Sequence, residues 1–85
     1  MMEPWMKKLT EEIGRIAGVE KVSHYQVVVL PQILADFYKM LQKQTFGIAV
    51  REQYRMEDGS MTIELCGVRE SNGNVKVTDA RAYRG

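Results

Sequence analysis

Two tight-turn dipeptides constrain this chain more than any other feature of its sequence. Asp58-Gly59 and Asn72-Gly73 are residue pairs that favour two-residue β-hairpin turns, because both turn positions take positive φ. Apolar and polar residues alternate on either side of each turn, as expected for strands with one buried face. The sequence therefore predicts a meander of three antiparallel strands over the C-terminal half of the chain.

Turns of this kind also fix which residues face one another across neighbouring strands. Centring the two hairpins on their turns places Tyr54 opposite Ile63 and Leu65 opposite Ala80. On the other face of the sheet, the same register places Glu64 opposite Arg81 as a cross-strand ion pair. The predicted core face of the meander carries Tyr54, Met56, Met61, Ile63, Leu65, Ala80 and Ala82.

Two segments of the N-terminal half have the apolar spacing of amphipathic helices. Segment 4–17 begins with Pro4, which suits a first helical position, and is followed by Gly18, which suits a C-terminal cap. Segment 31–44 begins in the same way, with Pro31. The two apolar stripes are Met6, Leu9, Ile13 and Ile16 in the first segment, and Ile33, Leu34, Phe37, Tyr38 and Leu41 in the second.

Residues 21–30 lie between the two predicted helices and are rich in β-branched side chains. The run Val27-Val28-Val29 is apolar at consecutive positions, which is typical of a strand covered on both faces. We therefore expect a first strand here that ends at Pro31. The predicted fold is α+β, a four-stranded, mostly antiparallel sheet with two helices in the order α-β-α-β-β-β. Residues 1–85 form a single small domain in this prediction, with an ordered core over residues 4–84.

The small size of the chain predicts association with another protein chain. A domain of 85 residues hides only roughly 60–65% of the surface of its unfolded chain, so its core is thin. The single cysteine, Cys66, excludes an internal disulfide, and one histidine with one cysteine cannot build a common zinc site. We therefore expect no metal and no cofactor, and we expect a homodimer or another protein partner.

The apolar pattern of the last two strands changes face near Gly67. Beyond this glycine, the register places Val68 opposite Val77, next to Ala49, on the face that should be solvated. A bulge at Gly67 would turn these side chains back towards the core, since glycines inside strands often mark bulges. Alternatively, the cluster is a second apolar surface that packs against another chain. The predicted interface residues are Ala49, Val68, Val75 and Val77.

The leading functional prediction is a small, non-enzymatic protein-interaction module that associates with itself through its sheet. A weak nucleic-acid-binding domain that uses the mixed-charge face of the sheet is the first alternative. The net charge of +1 speaks against it, because nucleic-acid affinity comes largely from neutralising phosphates with a basic surplus. The basic side chains that this alternative would use are Arg51, Arg55, Arg69 and Lys76.

The second alternative is a small-ligand or enzyme site at an oligomer interface, built around His24 and Glu52. Glu52 falls on the apolar side of its strand, where a carboxylate needs a partner. No spacing around His24 matches a catalytic or metal-binding motif, so an enzyme is not the favoured class. No segment approaches the roughly 18–20 apolar residues of a membrane span. The free thiol and the absence of an export signal predict a cytoplasmic location.

Overall fold

A computed structural model describes residues 2–85 as two helices on one face of a three-stranded antiparallel sheet. Helix α1 covers Pro4–Ala17, and the helical run of residues 22–41 is called α2 here. The strands are β1 (Val50–Arg55), β2 (Met61–Arg69) and β3 (Val75–Arg84), and they lie in the order β1-β2-β3 across the sheet. The class α+β and the antiparallel meander are as predicted, whereas the four-stranded sheet is wrong.

The core lies between the helices and the sheet. Every second residue of a strand, and every third or fourth residue of a helix, points towards this layer. Helix α1 has the predicted bounds, and both of its fully buried residues belong to its apolar stripe. The buried apolar residues are Leu9 and Ile13 from α1, Leu30, Ile33, Phe37 and Leu41 from α2, Met61, Ile63 and Leu65 from β2, and Val77, Ala80 and Ala82 from β3.

The predicted strand over residues 21–30 is wrong, because this segment is helical. A 3₁₀ turn, Val19–Lys21, leads into α2, which consists of an α-helical turn (Val22–His24), a π-helical segment (Tyr25–Val29) and a longer α-helix (Leu30–Leu41). Apolar residues at 22, 25, 29, 33, 37 and 41 recur every three or four positions and pack against the core. Burial of this face outweighs the β propensity of the valine run, which is a context-dependent preference. The order of elements is therefore α-α-β-β-β.

Pro31 lies inside α2 instead of ending the element before it. Proline has no N–H, and its ring crowds the carbonyl four residues earlier, so a regular α-helix is disrupted there. The π-helical segment precedes this point, and the Leu30 N–H donates to the carbonyl of Tyr25, five residues back. Such a turn holds one extra residue. Val27 and Val28 are both exposed on it, at 71% and 44%, so two of the three valines that suggested a strand face solvent.

The predicted register of the sheet is confirmed up to Cys66 and shifts beyond it. Tyr54 pairs with Ile63, and Leu65 pairs with Ala80, as expected. The predicted turn conformation is wrong, because only the glycine of each turn, and neither Asp58 nor Asn72, has a positive φ. At Gly67 the pairing moves by one residue, so that Gly67 faces Val77 and one extra residue of β3 is left over. The bulge interpretation of Gly67 is thus confirmed. Of the two valines expected to turn back to the core, Val77 does so, whereas Val68 stays half-buried on the opposite face.

Candidate interaction surface

The four predicted interface residues do not form one exposed cluster. Val77 is 7% exposed in the core, and Val75 packs against the same core. Ala49 is exposed just before β1, and Val68 is half-buried. Val68 follows the core-facing Gly67 and therefore points to the opposite face of the sheet. The bulge separates the two β3 valines from the other two residues.

Two of the basic residues proposed for nucleic-acid binding already have partners within the chain. The Arg69 guanidinium donates from Nη1 to the carbonyl of Gln44 at 3.2 Å and lies 4.6 Å from the centre of the Phe46 ring. The Lys76 ammonium lies 3.3 Å from Glu70 Oε2. Neither side chain is oriented as part of a free phosphate-binding track.

The open face of the sheet, opposite the helices, is organised around the buried side chain of Glu64. Glu64 Oε2 accepts from Arg81 Nε at 3.0 Å and lies 3.6 Å from Arg51 Nε, while Oε1 accepts from the Gln53 amide at 3.1 Å. These contacts, led by the Gln53 hydrogen bond, hold the pKa of Glu64 below its ordinary value. Two guanidinium groups share one carboxylate, and Arg55 forms no ion pair with residues 2–85, so positive charge is in excess here.

His24 and Glu52 lie in different parts of the fold. His24 is exposed on the first turn of α2, edge-on to the Tyr25 ring, and lines a shallow cavity of about 390 Å³ with Asp58 and Ser60. Glu52 is half-exposed on the helix-facing side of β1 and does not line that cavity. No group of three His, Cys, Asp or Glu side chains within residues 2–85 could hold a metal ion.

Tyr54 joins β1 to α2 beside Glu52. Its hydroxyl donates to Asp36 Oδ2 at 3.3 Å. Burial, together with the hydrogen bond to Asp36 and the negative charges of Asp36 and Glu52, raises the pKa of Tyr54 to about 12. The phenol therefore stays protonated and remains a donor at any ordinary pH. Glu52 points to the same side of the strand, so the helix-facing side of this edge is acidic.

Helix α2 presents an exposed apolar surface that sequence analysis missed. We define the α2 surface as Val27, Val28, Pro31, Leu34 and Ala35, which are exposed or half-buried on the solvent side of the helix. No Asp, Glu, Lys or Arg occurs in residues 22–35. This charge-free stretch is longer than the 3–10 residues or so of a usual strand, so its length was the available signal that the segment is a helix.

Grooves flank the α2 surface on both sides. Between α2 and α1, a cavity of about 370 Å³ is lined by Met6, Leu30 and Leu34 among others. Between α2 and β1, a cavity of about 500 Å³ is lined by residues that include Val28 and Met56. Since two of these residues belong to the α2 surface itself, the exposed apolar area continues from the helix into both grooves.

The β3 edge of the sheet is covered by α1. The Ala82 N–H points outwards from the sheet and donates to Glu12 Oε1 at 2.9 Å. Nearby, Lys8 Nζ donates to Asp79 Oδ1 at 3.0 Å, and this hydrogen bond lowers the pKa of Asp79. An edge strand covered in this way does not offer its backbone to another chain.

The β1 edge, in contrast, is uncovered. The Met56 N–H donates to the carbonyl of Met61 at 2.9 Å, so the pair in phase with it, Tyr54 and Ile63, also exchanges hydrogen bonds. The intervening backbone groups of β1 point away from β2, and no turn or side chain of residues 2–85 bonds to them. These outward-pointing groups belong to Arg51, Gln53 and Arg55.

Together, the two layers and their exposed surfaces define a small α+β domain. No family model, curated protein or solved structure matches this chain. Within residues 2–85, no helix combines the length and the apolar character needed to cross a bilayer. A fold of this class hosts many functions, so the function depends on the exposed surfaces and not on the fold.

Proposed function

We propose that this chain is a non-enzymatic protein-interaction module that forms a homodimer through the α2 surface. The observation that carries the proposal is the exposure of Val27 and Val28, at 71% and 44%, on a helix face without charge. Contiguous apolar surface on a small domain marks a contact with another protein. Each square ångström that a partner removes from water contributes about 25 cal/mol.

The charges at the ends of α2 support a second copy as the partner. Two α2 helices related by a two-fold axis perpendicular to them run antiparallel, and their uncharged middle sections face each other. Glu20, just before α2, then lies near the partner's Lys39, and the same pair recurs at the other end. Charged residues at both ends and none over residues 22–35 favour this antiparallel pairing over a shifted one.

The helix surface supports the proposal better than the sheet does. Val75 and Val77 pack within their own chain, and the open face of the sheet is occupied by the ion pairs around Glu64. The nucleic-acid and small-ligand alternatives have less support, because Arg69 and Lys76 have internal partners and His24 is separate from Glu52. A reducing location such as the cytoplasm remains part of the proposal, since Cys66 is a free thiol.

Light scattering across a concentration series, with Val27→Lys and Val19→Lys as matched variants, tests the proposal. Both valines are highly exposed, at 71% and 81%, but only Val27 lies on the α2 surface. We expect Val27→Lys to weaken the dimer about 100-fold, because two such lysines per dimer would lose roughly 2.7 kcal/mol. Val19→Lys should leave the dimer unchanged.

Two outcomes would contradict the homodimer. The first is a wild-type chain that remains monomeric across the whole concentration series. The second is a dimer whose dissociation constant is the same with Val27→Lys as with Val19→Lys. Thermal unfolding of the variants shows whether they fold. An exposed substitution changes the free energy of unfolding by about 0.5 kcal/mol, so neither variant should lower the melting temperature by more than a few degrees.

A further inference from the structure

We infer that the β1 edge binds an extended segment of a different protein as a fourth strand, and that this segment carries two carboxylates four residues apart. The inference does not depend on the homodimer, because no residue of β1 belongs to the α2 surface; Val28 is the one α2-surface residue named in the groove beside β1. The outward backbone groups of β1 are free, whereas the β3 edge is covered by α1 and by Glu12. An extended peptide satisfies such groups by adding a strand, and its side chains then determine specificity.

The open face of β1 selects carboxylates. Arg51 lies two residues before Gln53 and Arg55 two residues after it, so all three side chains point to the same face of the sheet. The Arg51 side chain is 68% exposed and shares Glu64 with Arg81, while Arg55 has no ion-pair partner within residues 2–85. Side chains directly opposite on paired strands are about 4.5–5.5 Å apart at Cβ, so carboxylates four residues apart face both arginines.

The helix-facing side of β1 selects a second feature of the segment. Glu52 points to this side with no ion-pair partner within residues 2–85, so the residue opposite it should be basic. The groove beside Tyr54 is lined by Val28, Ile33 and Met56, so the residue of the segment that lies opposite Tyr54 should be apolar. The partner segment therefore alternates between acidic residues on the open face and basic or apolar residues towards α2.

The same charges oppose pairing of β1 with a second copy of itself. Of the antiparallel registers that keep faces matched, two overlap the strand most completely. One places Arg51 opposite the partner's Arg55, and the other places Glu52 opposite the partner's Glu52. Like charges directly opposite are destabilising, and charged edge strands commonly prevent self-pairing in this way. A heterologous acidic segment is therefore the occupant that fits the edge.

The probe for the test is a synthetic peptide, Ile-Glu-Val-Thr-Lys-Glu-Val, blocked at both ends. In the antiparallel orientation its residues face Met56 to Val50 in turn, with the two glutamates opposite Arg55 and Arg51. The control peptide exchanges the charges, Ile-Lys-Val-Thr-Glu-Lys-Val. Amide NMR titration of the full chain should show shifts along β1 and about tenfold tighter binding of the first peptide, equivalent to roughly 1.4 kcal/mol. The inference fails if the first peptide does not bind or if both bind equally.

Two variants of Gln53 separate strand addition from simple charge attraction. Gln53→Pro removes an outward N–H that the fold does not use, and proline is tolerated on an edge strand in this orientation. Gln53→Ala is the matched control, because it loses the same side-chain hydrogen bond to Glu64 but keeps the N–H. We expect Gln53→Ala to bind the acidic peptide within about twofold of the wild type. Gln53→Pro should bind it at least about tenfold more weakly, because roughly one backbone hydrogen bond to the peptide is lost. Equal affinities would refute strand addition.

Arg55→Glu gives a second test that does not depend on how the strand tolerates proline. Arg55 has no ion-pair partner within residues 2–85, so this exposed substitution leaves the fold intact. We expect it to weaken the acidic peptide and to improve the charge-exchanged one, reversing or removing the preference between them. An unchanged preference would refute the assigned contact. Val27→Lys should bind the acidic peptide as the wild type does, so failure of the homodimer and failure of this inference are distinguishable.

Discussion

Replacement of Gly67 by alanine tests how closely α2 packs on the sheet at the bulge. A Cβ at this position would lie 2.7 Å from the carbonyl oxygen of Lys76, 2.8 Å from Phe37 Cε2 and 2.9 Å from Leu41 Cδ1. Each distance is shorter than the 3.4 Å at which ordinary contact begins. The Lys76 carbonyl belongs to the backbone of the bulged strand, so it cannot move without disturbing the pairing of β2 with β3.

The expected cost follows from these three contacts. Inserting a methyl group into a packed core costs about 1–3 kcal/mol, and a backbone contact places Gly67→Ala in the upper part of that range. The lower entropy of the unfolded alanine chain returns about 0.4–1 kcal/mol. We therefore expect a net loss of about 2 kcal/mol, which lowers the melting temperature by about 8–16 °C in a domain of this size.

Urea and thermal denaturation measure this loss, with Gly14→Ala as the matched control. Gly14 lies inside α1, and a Cβ there would meet only Val22 Cγ2, at an ordinary 3.4 Å. Alanine in a helix interior is about 1 kcal/mol more stable than glycine, so Gly14→Ala should raise the free energy of unfolding. The packing argument is refuted if Gly67→Ala changes that free energy by less than about 0.5 kcal/mol, the usual range for surface substitutions.

Two further predictions concern Glu64 and Glu12. Because the pKa of Glu64 lies below the ordinary value of 4.5 in the folded chain, its ionised form adds stability above pH 4.5 that is lost as the pH falls through the lower pKa. The difference in free energy of unfolding between wild type and Glu64→Gln should therefore be largest above pH 4.5 and shrink in more acidic urea titrations; a difference that does not vary with pH would contradict this. Glu12→Ala removes the acceptor for the Ala82 N–H and should cost about 1 kcal/mol and speed hydrogen exchange at that amide, whereas Glu12→Gln keeps an acceptor and should lose less. Equal exchange rates in the two variants would contradict the capping role of Glu12.

The candidate surfaces were predictable only in part. The turns predicted the register that places Glu64 opposite Arg81, so this ion pair was correctly predicted. The uncovered β1 edge was not predictable, because it depends on which edge α1 covers. The α2 surface was missed for a related reason, since the predicted strand hid a helix whose outer side is apolar.

The sequence by itself determined those elements whose signals are local. Pro4, the apolar spacing and Gly18 specify α1 within one segment, and Asp58-Gly59 specifies the first turn and the register next to it. Asn72-Gly73 specifies where the second turn lies, but the pairing beside it is one residue off the predicted register. Each of these signals acts between residues that are close in the chain. Their energies do not depend on what packs above or below them.

Only the tertiary structure decided the state of residues 21–30 and whether Gly67 marks a bulge or an interface. The valine run has a β preference, but a strand there would not have buried Val22, Tyr25 and Val29 on the same side as Phe37, whereas one helical run does. Gly67 likewise accepts a close approach from Phe37, a contact between residues thirty positions apart. The free energy of burying that shared face arises only once the helices meet the sheet, so no local pattern in the sequence carries it.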